Sequence, residues 1–352
     1  MGYDNQQHND NKFVAQQLSA ALYNFDNSSC ERQLGQLFHA DSQIRLGHPI
    51  GDLTGSEAFY QQAILPLYSA IPDLERRDYI RIAGYTEDQQ PWVGCAGYYT
   101  GVMTSPWLDI PPSGHQVSMR FHEFYRIEEG KIIEMQGLWD IVDVMRQSNA
   151  WPMTPSLGHE WHVPGPATND GIVAKEFDAV ASKHSEQRVI NMLLAMQRYP
   201  RDGGPEVMQM DKFWHPKMNW YGPAGIGTGR GIAGFRHWHQ IPFITAMPDR
   251  GQDTEGTQFH FIADHNYVGV TGWPNMKQTL NCDGWLGIAP ANKQIALRSL
   301  DFWRIENDLI RENWVLIDLP DIYRQLGVDV FARLREFNKA RVPGSVNWPL
   351  PG

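Results

Sequence analysis

IPPSGHQVSMRFHEFYRIEEGKIIEMQGLWDIVDVMRQ, from Ile110 to Gln147, returns as IAPANKQIALRSLDFWRIENDLIRENWVLIDLPDIYRQ, from Ile288 to Gln325. The second stretch starts 178 residues after the first and aligns with it without a gap. Arg126-Ile127-Glu128 falls on Arg304-Ile305-Glu306, Asp140 on Asp318, and Asp143 on Asp321. Upstream, FHADSQIRLGHP from Phe38 matches FWHPKMNWYGPA from Phe213, and the segment ending AIPD at Asp73 matches the one ending AMPD at Asp249. The offsets there are 175 and 176, so short loop insertions account for the drift. Similarity that keeps order and spacing over so many blocks marks an internal duplication.

Each copy predicts the same layout. A helix opens it, Asn11–Tyr23 in the first copy and Ile172–Tyr199 in the second, followed by a short strand, Ser42–Leu46 or Lys217–Tyr221. Gly55 and Gly231 are the turn residues before a helix that ends at Pro-Asp. Alternating apolar and polar residues in Val117–Ile127 and Ile295–Ile305 predict strands covered on one face. Glu129-Gly130 and Asn307-Asp308 suit tight hairpin turns. Short helices are expected at Ile141–Gln147 and Leu319–Leu326. The Pro- and Gly-rich stretch Trp151–Asp170 has neither period and reads as a linker. The expected organisation is a first domain over 1–150, a linker over 151–170, a second domain over 171–340 and an irregular tail over 341–352, which could pack across a neighbouring domain.

A chain of 352 residues suits two cores better than one. The net charge of -10 and the lack of a basic tract argue against nucleic acid as a partner. No stretch is apolar enough to span a bilayer, and the polar start (MGYDNQQHNDNK) shows no secretory signal. Cys30, Cys95 and Cys282 are far apart and odd in number, which predicts free thiols and a cytoplasmic location. With 13 Trp among the aromatics, deep apolar pockets are expected.

The two hairpins RIEEGKIIEMQGLWDIVDVMRQ and RIENDLIRENWVLIDLPDIYRQLG resemble the last hairpin of the SnoaL-like polyketide cyclases, in the nuclear-transport-factor-like superfamily. The resemblance implies an α+β fold: two cone-like domains, each a curved, mostly antiparallel sheet wrapped on helices around an apolar pocket. Single-domain members pair sheet to sheet, so a tandem chain can supply that pairing internally, with a homodimer possible in addition. The implied chemistry is an intramolecular aldol closure, in which one carboxylate acts as base and then as acid. That family's Asp follows Glu-x-Trp directly. Here the position holds Gly137 in one copy and Val315 in the other.

The residue across the hairpin is acidic in both copies, Glu123 and Asp301. Strand parity sets Glu123 with Phe121 and Tyr125, and Asp301 with Ser299 and Trp303. An acid between aromatics on a pocket-facing strand suits a general base, and a salt-bridged structural acid is the alternative. Copy two keeps Trp314 and the Gln-Leu-Gly ending, which favours Asp301. His122 and His48 complete the expected catalytic set; His122 falls on the strand face opposite Glu123. Tyr125, Trp139, Trp220, Tyr221 and Trp303 are the expected substrate-binding aromatics. Arg298 and Arg304 fall on the face opposite Asp301, which disfavours an Asp–Arg epoxide hydrolase. Asp140 and Asp318 are expected helix N-caps, and Asp143 and Asp321 solvent-facing. No metal-ligand spacing is present, and no cofactor is expected. The Gly-rich loop Gly222–Gly231 reads as a flexible lip over the second pocket. The expected function is a cofactor-independent enzyme of the cyclase, isomerase or hydrolase kind, acting on a small apolar carbonyl compound. The alternative is a non-catalytic small-molecule binder on the same scaffold.

Overall fold

The computed structural model describes residues 5–24 and 27–341; the expected tail beyond 341 lies outside them. The first half runs α1 (Asn5–Tyr23), α2 (Asn27–Leu37), β1 (Phe38–Leu46), β2 (Asp52–Thr54), α3 (Gly55–Phe59), a π-helical turn (Tyr60–Ile64), α4 (Leu65–Ala70), β3 (Glu75–Tyr85), β4 (Pro91–Val102), β5 (Gln116–Glu128), β6 (Lys131–Trp139) and α5 (Ile141–Gln147). The second half runs α6 (Ala179–Met196), α7 (Met210–Phe213), β7 (Trp214–Tyr221), β8 (Thr228–Arg230), α8 (Gly231–Phe235), a π-helical turn (Arg236–Gln240) and α9 (Ile241–Ala246). It continues with β9 (His260–Asp264), β10 (Tyr267–Thr271), β11 (Met276–Leu280), β12 (Lys293–Leu297), β13 (Ser299–Glu306), β14 (Leu309–Ile317), α10 (Leu319–Gln325) and α11 (Val330–Arg341).

The two sheets have the same strand order, β2-β1-β6-β5-β4-β3 and β8-β7-β14-β13-β10-β9. In each, one inner pair is parallel, β1 with β6 and β7 with β14, and every other pair is antiparallel. The hairpin turns carry the positive φ angles expected of their residues, 48° at Glu129, 73° at Gly130, 51° at Asn307 and 61° at Asp308. Gly55 and Gly231 also adopt positive φ, 78° and 66°, where each half turns into a helix. A Cβ at Gly55 would lie 2.7 Å from the Ala40 carbonyl oxygen, so both conformation and space call for glycine.

The ladders refine several expectations. Phe38 pairs with Ile132 and Trp214 with Ile310, so Phe38 corresponds to Trp214 and not to Phe213. The opening helix of the second half spans Ala179–Met196, not Ile172–Tyr199. Asp178 ends the extended approach to it, its carboxylate accepting from the Val180 and Ala181 amides at 3.0 Å each. Ile172 instead bridges to Arg81. In the second half β10 and β13 are continued by a separate two-stranded ladder, β11–β12. The stretch 151–170 contains no helix or named strand but is docked: the Tyr98 hydroxyl donates to the Val163 carbonyl at 2.7 Å, and the Trp314 indole to that of Pro164 at 2.9 Å. Among the described residues no helix is long and apolar enough to cross a membrane.

Strand alternation sorts each sheet into two faces. One face meets its own helices, and the other meets the opposite sheet. That inter-sheet layer holds Ile82, Phe124, Leu138, Ile262, Leu300, Phe302 and Leu316. The helices also reach across. Lys12 of α1 pairs with Asp264 at 2.6 Å, and Arg335 of α11 pairs with Asp109 at 2.8 Å.

Candidate active site

Glu123 and Asp301 occupy the same position of the two ladders, opposite Gly137 and Val315, and their surroundings differ. Glu123 is fully buried and takes four donors. Arg76 of β3 and the Tyr125 hydroxyl bond one carboxylate oxygen; the Trp139 indole (2.7 Å) and the Tyr99 hydroxyl (3.1 Å) bond the other. Arg76 also binds Asp78 at 2.9 Å and lies over the Phe121 ring at 4.1 Å. A carboxylate so saturated, with a guanidinium beside it, is a structural anion. Neither its charge nor its lone pairs are free.

The second half removes these donors one by one. Tyr125 becomes Trp303, Trp139 becomes Ile317 and Phe121 becomes Ser299 at the 178-residue offset. Tyr99 faces Met119, and the matching ladder position facing Leu297 holds Met276. Arg76 has no counterpart, because β9 begins at His260, whose ladder position matches Ile80 of β3. Loss of these side chains leaves a cavity of about 120 Å³. Its floor is Asp301, Ser299 and Trp303 of β13 with Asn313, Val315 and Ile317 of β14. Its walls are Trp214 and Trp220 of β7, Phe235, His239 and Phe243 of the α8–α9 segment, and Met192 and Met196 of α6; Arg250 also lines it.

In this setting Asp301 keeps one side-chain partner, the Ser299 hydroxyl at 2.6 Å. Burial pushes its carboxyl from 3.8 up to about 7, against smaller lowering by Ser299 and by the Arg120 charge. The indole Nε1–H groups of Trp214 and Trp303 are buried without a hydrogen-bond partner. His239 stacks on Trp220 at 4.0 Å and 13°, and burial, with the Arg250 charge adding to it, lowers its imidazole to about 3, so the ring is neutral. It also borders a wider apolar groove of about 430 Å³, formed by Trp238, Pro242, Trp285–Ala289 and the docked Thr154–Leu157.

Of the residues expected from the sequence, the structure brings together Asp301, Trp220 and Trp303. Glu123, Tyr125 and Trp139 form the closed cluster of the first half. Tyr221 lies outside the cavity: it follows Trp220 on β7, so it points the other way, donating to Glu312 at 3.1 Å and packing on Trp314. His122 lies between the sheets, its Nδ1 at 2.6 Å from the Leu300 carbonyl, fully buried, and burial holds its imidazole well below its ordinary value. His48 sits beside Phe331 at 5.8 Å, outside the lining of the Asp301 cavity and not among the hydrogen-bond partners of Glu123, with its amide donating to Asp318 at 3.0 Å.

Three further expectations change. Asp318 does cap α10, accepting from the Asp321 amide at 3.2 Å, but Asp140 accepts from Ala224 of the other half at 3.0 Å and makes no cap bond. Asp321 is buried and Asp143 half-buried, each accepting from the Arg and Gln of its own helix. The Gly222–Gly231 loop does not border the cavity. It packs on the docked stretch, where a Cβ at Gly227 would lie 2.5 Å from the Gly158 carbonyl carbon.

Sequence reasoning missed Arg250, His239 and the indoles as hydrogen-bond donors. The signal was available in the duplication itself, since Arg250 stands where the first half has Leu74 after the shared Pro-Asp. Among the described residues no group of three or more His, Cys, Asp or Glu is placed to hold a metal ion.

Residues 14–148 match the model of the SnoaL-like polyketide cyclase family. Solved structures similar to parts of the chain include IdmH of Streptomyces antibioticus (19% identity, TM-score 0.33, 39% of this chain and 96% of that one). A SnoaL-like polyketide cyclase of Agrobacterium tumefaciens shows 22% identity and a TM-score of 0.30, over 38% and 94%. An NTF2-like protein of Burkholderia thailandensis shows 12% identity and a TM-score of 0.31, over 39% and 95%. No curated protein matches the chain.

Proposed function

We propose that the chain, whose residues 14–148 match the model of the SnoaL-like polyketide cyclase family, is an acid–base catalyst of the cyclase or isomerase kind whose working site is in the second half. The observation that carries this reading is the contrast at one ladder position. Glu123 is saturated by four donors, whereas Asp301 opens on an apolar cavity with its carboxyl raised to about 7. An acid poised near neutrality is suited to take up and return a proton at ordinary pH.

The step is proton abstraction next to a carbonyl. Ionised Asp301 takes the C–H proton onto a carboxylate oxygen, and the C–H electron pair moves into the enolate, placing negative charge on the carbonyl oxygen. The Nε1–H groups of Trp303 and Trp214, buried and without a partner, are the donors for that charge. The protonated Asp301 then returns the proton, to another carbon for an isomerisation or to the alkoxide of an aldol closure. The family's Asp position holds Val315, and Val315 is the ladder partner of Asp301. The carboxylate is thus supplied from the neighbouring strand to the same part of the sheet.

The test is deuterium exchange at the α-carbon of small aryl ketones in heavy water, followed by NMR. Saturable exchange is expected for the native chain, decreasing as pH falls through about 7, and its loss is expected in Asp301→Asn. Exchange unchanged in Asp301→Asn would remove Asp301 as the base.

A further inference from the structure

Arg250 is the one positive side chain in the lining of the Asp301 cavity, and it has no counter-ion among the described residues. Three other half-buried or buried arginines are held by carboxylates: Arg76 by Asp78 and Glu123, Arg304 by Glu306 and Glu312, Arg298 by Asp318; Arg236, also half-buried, donates to Gln240 at 2.9 Å. Arg250 instead loses solvation with no acid in return, and burial lowers its guanidinium from the ordinary value. The first half, whose matching acid is closed off, has Leu74 at the corresponding position, buried in the core. At this position the half with the cavity has an unpaired guanidinium and the other half has a core leucine.

We infer that Arg250 is the anchor for an anionic group of the bound molecule, and that the substrate is a small carboxylate no larger than about one ring at its buried end. A planar guanidinium pairs with a carboxylate through two parallel N–H···O bonds, and such a pair gains strength where water is excluded. The volume sets the size: a cavity of roughly 150 Å³ accommodates benzene, and this one is about 120 Å³. The apolar walls, Trp220, Phe235 and Phe243 among them, receive the ring while Arg250 holds the carboxylate, so the acidic C–H lies toward Asp301. This inference rests on the same cavity as the proposed acid–base site, and it stands or falls on binding alone.

The experiment is titration of the native chain with benzoate and with benzamide, its uncharged isostere, followed by tryptophan fluorescence and calorimetry. Benzoate is expected to bind at least tenfold more tightly than benzamide. Arg250→Gln is expected to abolish that preference while leaving benzamide affinity within twofold, and Arg250→Lys to keep part of it. Asp301→Asn is expected to keep it, even where proton exchange is lost. Equal binding of the two ligands by the native chain would overturn the assignment, as would an Arg250→Gln variant that still prefers benzoate. If Arg250→Gln does not fold, the native comparison and Arg250→Lys decide. Loss of exchange in Asp301→Asn without any benzoate preference would refute the anion site and leave the acid–base reading in place.

Discussion

Phe124 and Phe302, the same position in the two copies, stack on each other across the inter-sheet layer, with ring centroids 4.9 Å apart and planes within 15°. Gly94 and Gly269, which are also ladder equivalents, flank the pair; a Cβ on Gly94 would lie 2.8 Å from Phe124, and one on Gly269 would lie 2.9 Å from it. His122 likewise meets its own equivalent, Leu300. A local two-fold axis thus runs through the contact, and the two halves are related as in a symmetric dimer. Asp140 and Asp318 repeat the relation, each accepting an amide from the β1- or β7-end of the other half.

The stack predicts that the halves unfold together. Phe302→Ala removes a fully buried ring from the shared layer, and such truncations cost about 3–5 kcal/mol. Urea unfolding followed by far-UV circular dichroism should show one transition at lower urea, with both halves lost. Two separate transitions, with only the second half shifted, would show that the layer does not couple them.

Glu123→Gln should be among the most damaging substitutions in the chain although it is nearly isosteric. It leaves Arg76, fully buried, with Asp78 as its remaining carboxylate. Breaking a buried ion pair from one side costs about 3–5 kcal/mol. A matched Asp301→Asn breaks no ion pair. Stability by urea denaturation at neutral pH should therefore fall for Glu123→Gln and not for Asp301→Asn. Equal losses would contradict the division between a structural and a working acid.

The duplication, both hairpins and the paired acids were legible because each rests on residue order or on strand parity. Which acid was free was not legible from either strand alone. It depends on Arg76, 47 residues upstream of Glu123 and reaching it only when β3 and β4 are laid beside β5. It depends equally on β9 starting too late to supply a counterpart, a boundary set by tertiary pairing. Tyr221 and His122 were misplaced for the same reason. Aromatic and imidazole side chains on strands serve either face, and only the presence of a second sheet decides which face is filled. Asp321 is buried because Arg298, from the strand region beside its helix, approaches it at 3.9 Å, a neighbour that the helical turn alone does not disclose.

Asp301→Asn should change the pH dependence of stability in a defined direction. Burial raises the carboxyl from 3.8 to about 7, so the folded chain binds this proton more tightly than the unfolded chain does. The stability contributed by that proton is complete below about pH 4 and is lost as pH rises through 7. Asparagine has no such loss. The variant's stability relative to the native chain should thus improve from about pH 4 to pH 7, by roughly 3–4 kcal/mol, and level off above. Asp143 and Asp318, raised to about 7 and about 6, titrate in both chains and cancel in the difference. Urea titrations at a series of pH values give the comparison, and a flat or falling difference would mean that Asp301 is not held as a raised acid.

Trp303→Phe separates the indole donor from the aromatic wall. Its Nε1–H is buried and unpartnered, which costs free energy that an accepting oxygen relieves. If that oxygen is the enolate of the proposed step, the bond matters more in the transition state than in the bound ketone. Phenylalanine keeps most of the apolar surface, so ketone binding should change little while the exchange rate constant at saturation falls by about 10²–10³. The same substitution should leave the chain as stable as before or slightly more so, since it removes a buried unsatisfied donor. A variant that loses ketone affinity but keeps its exchange rate constant would assign Trp303 to the wall of the cavity and leave Trp214 as the donor to the developing charge.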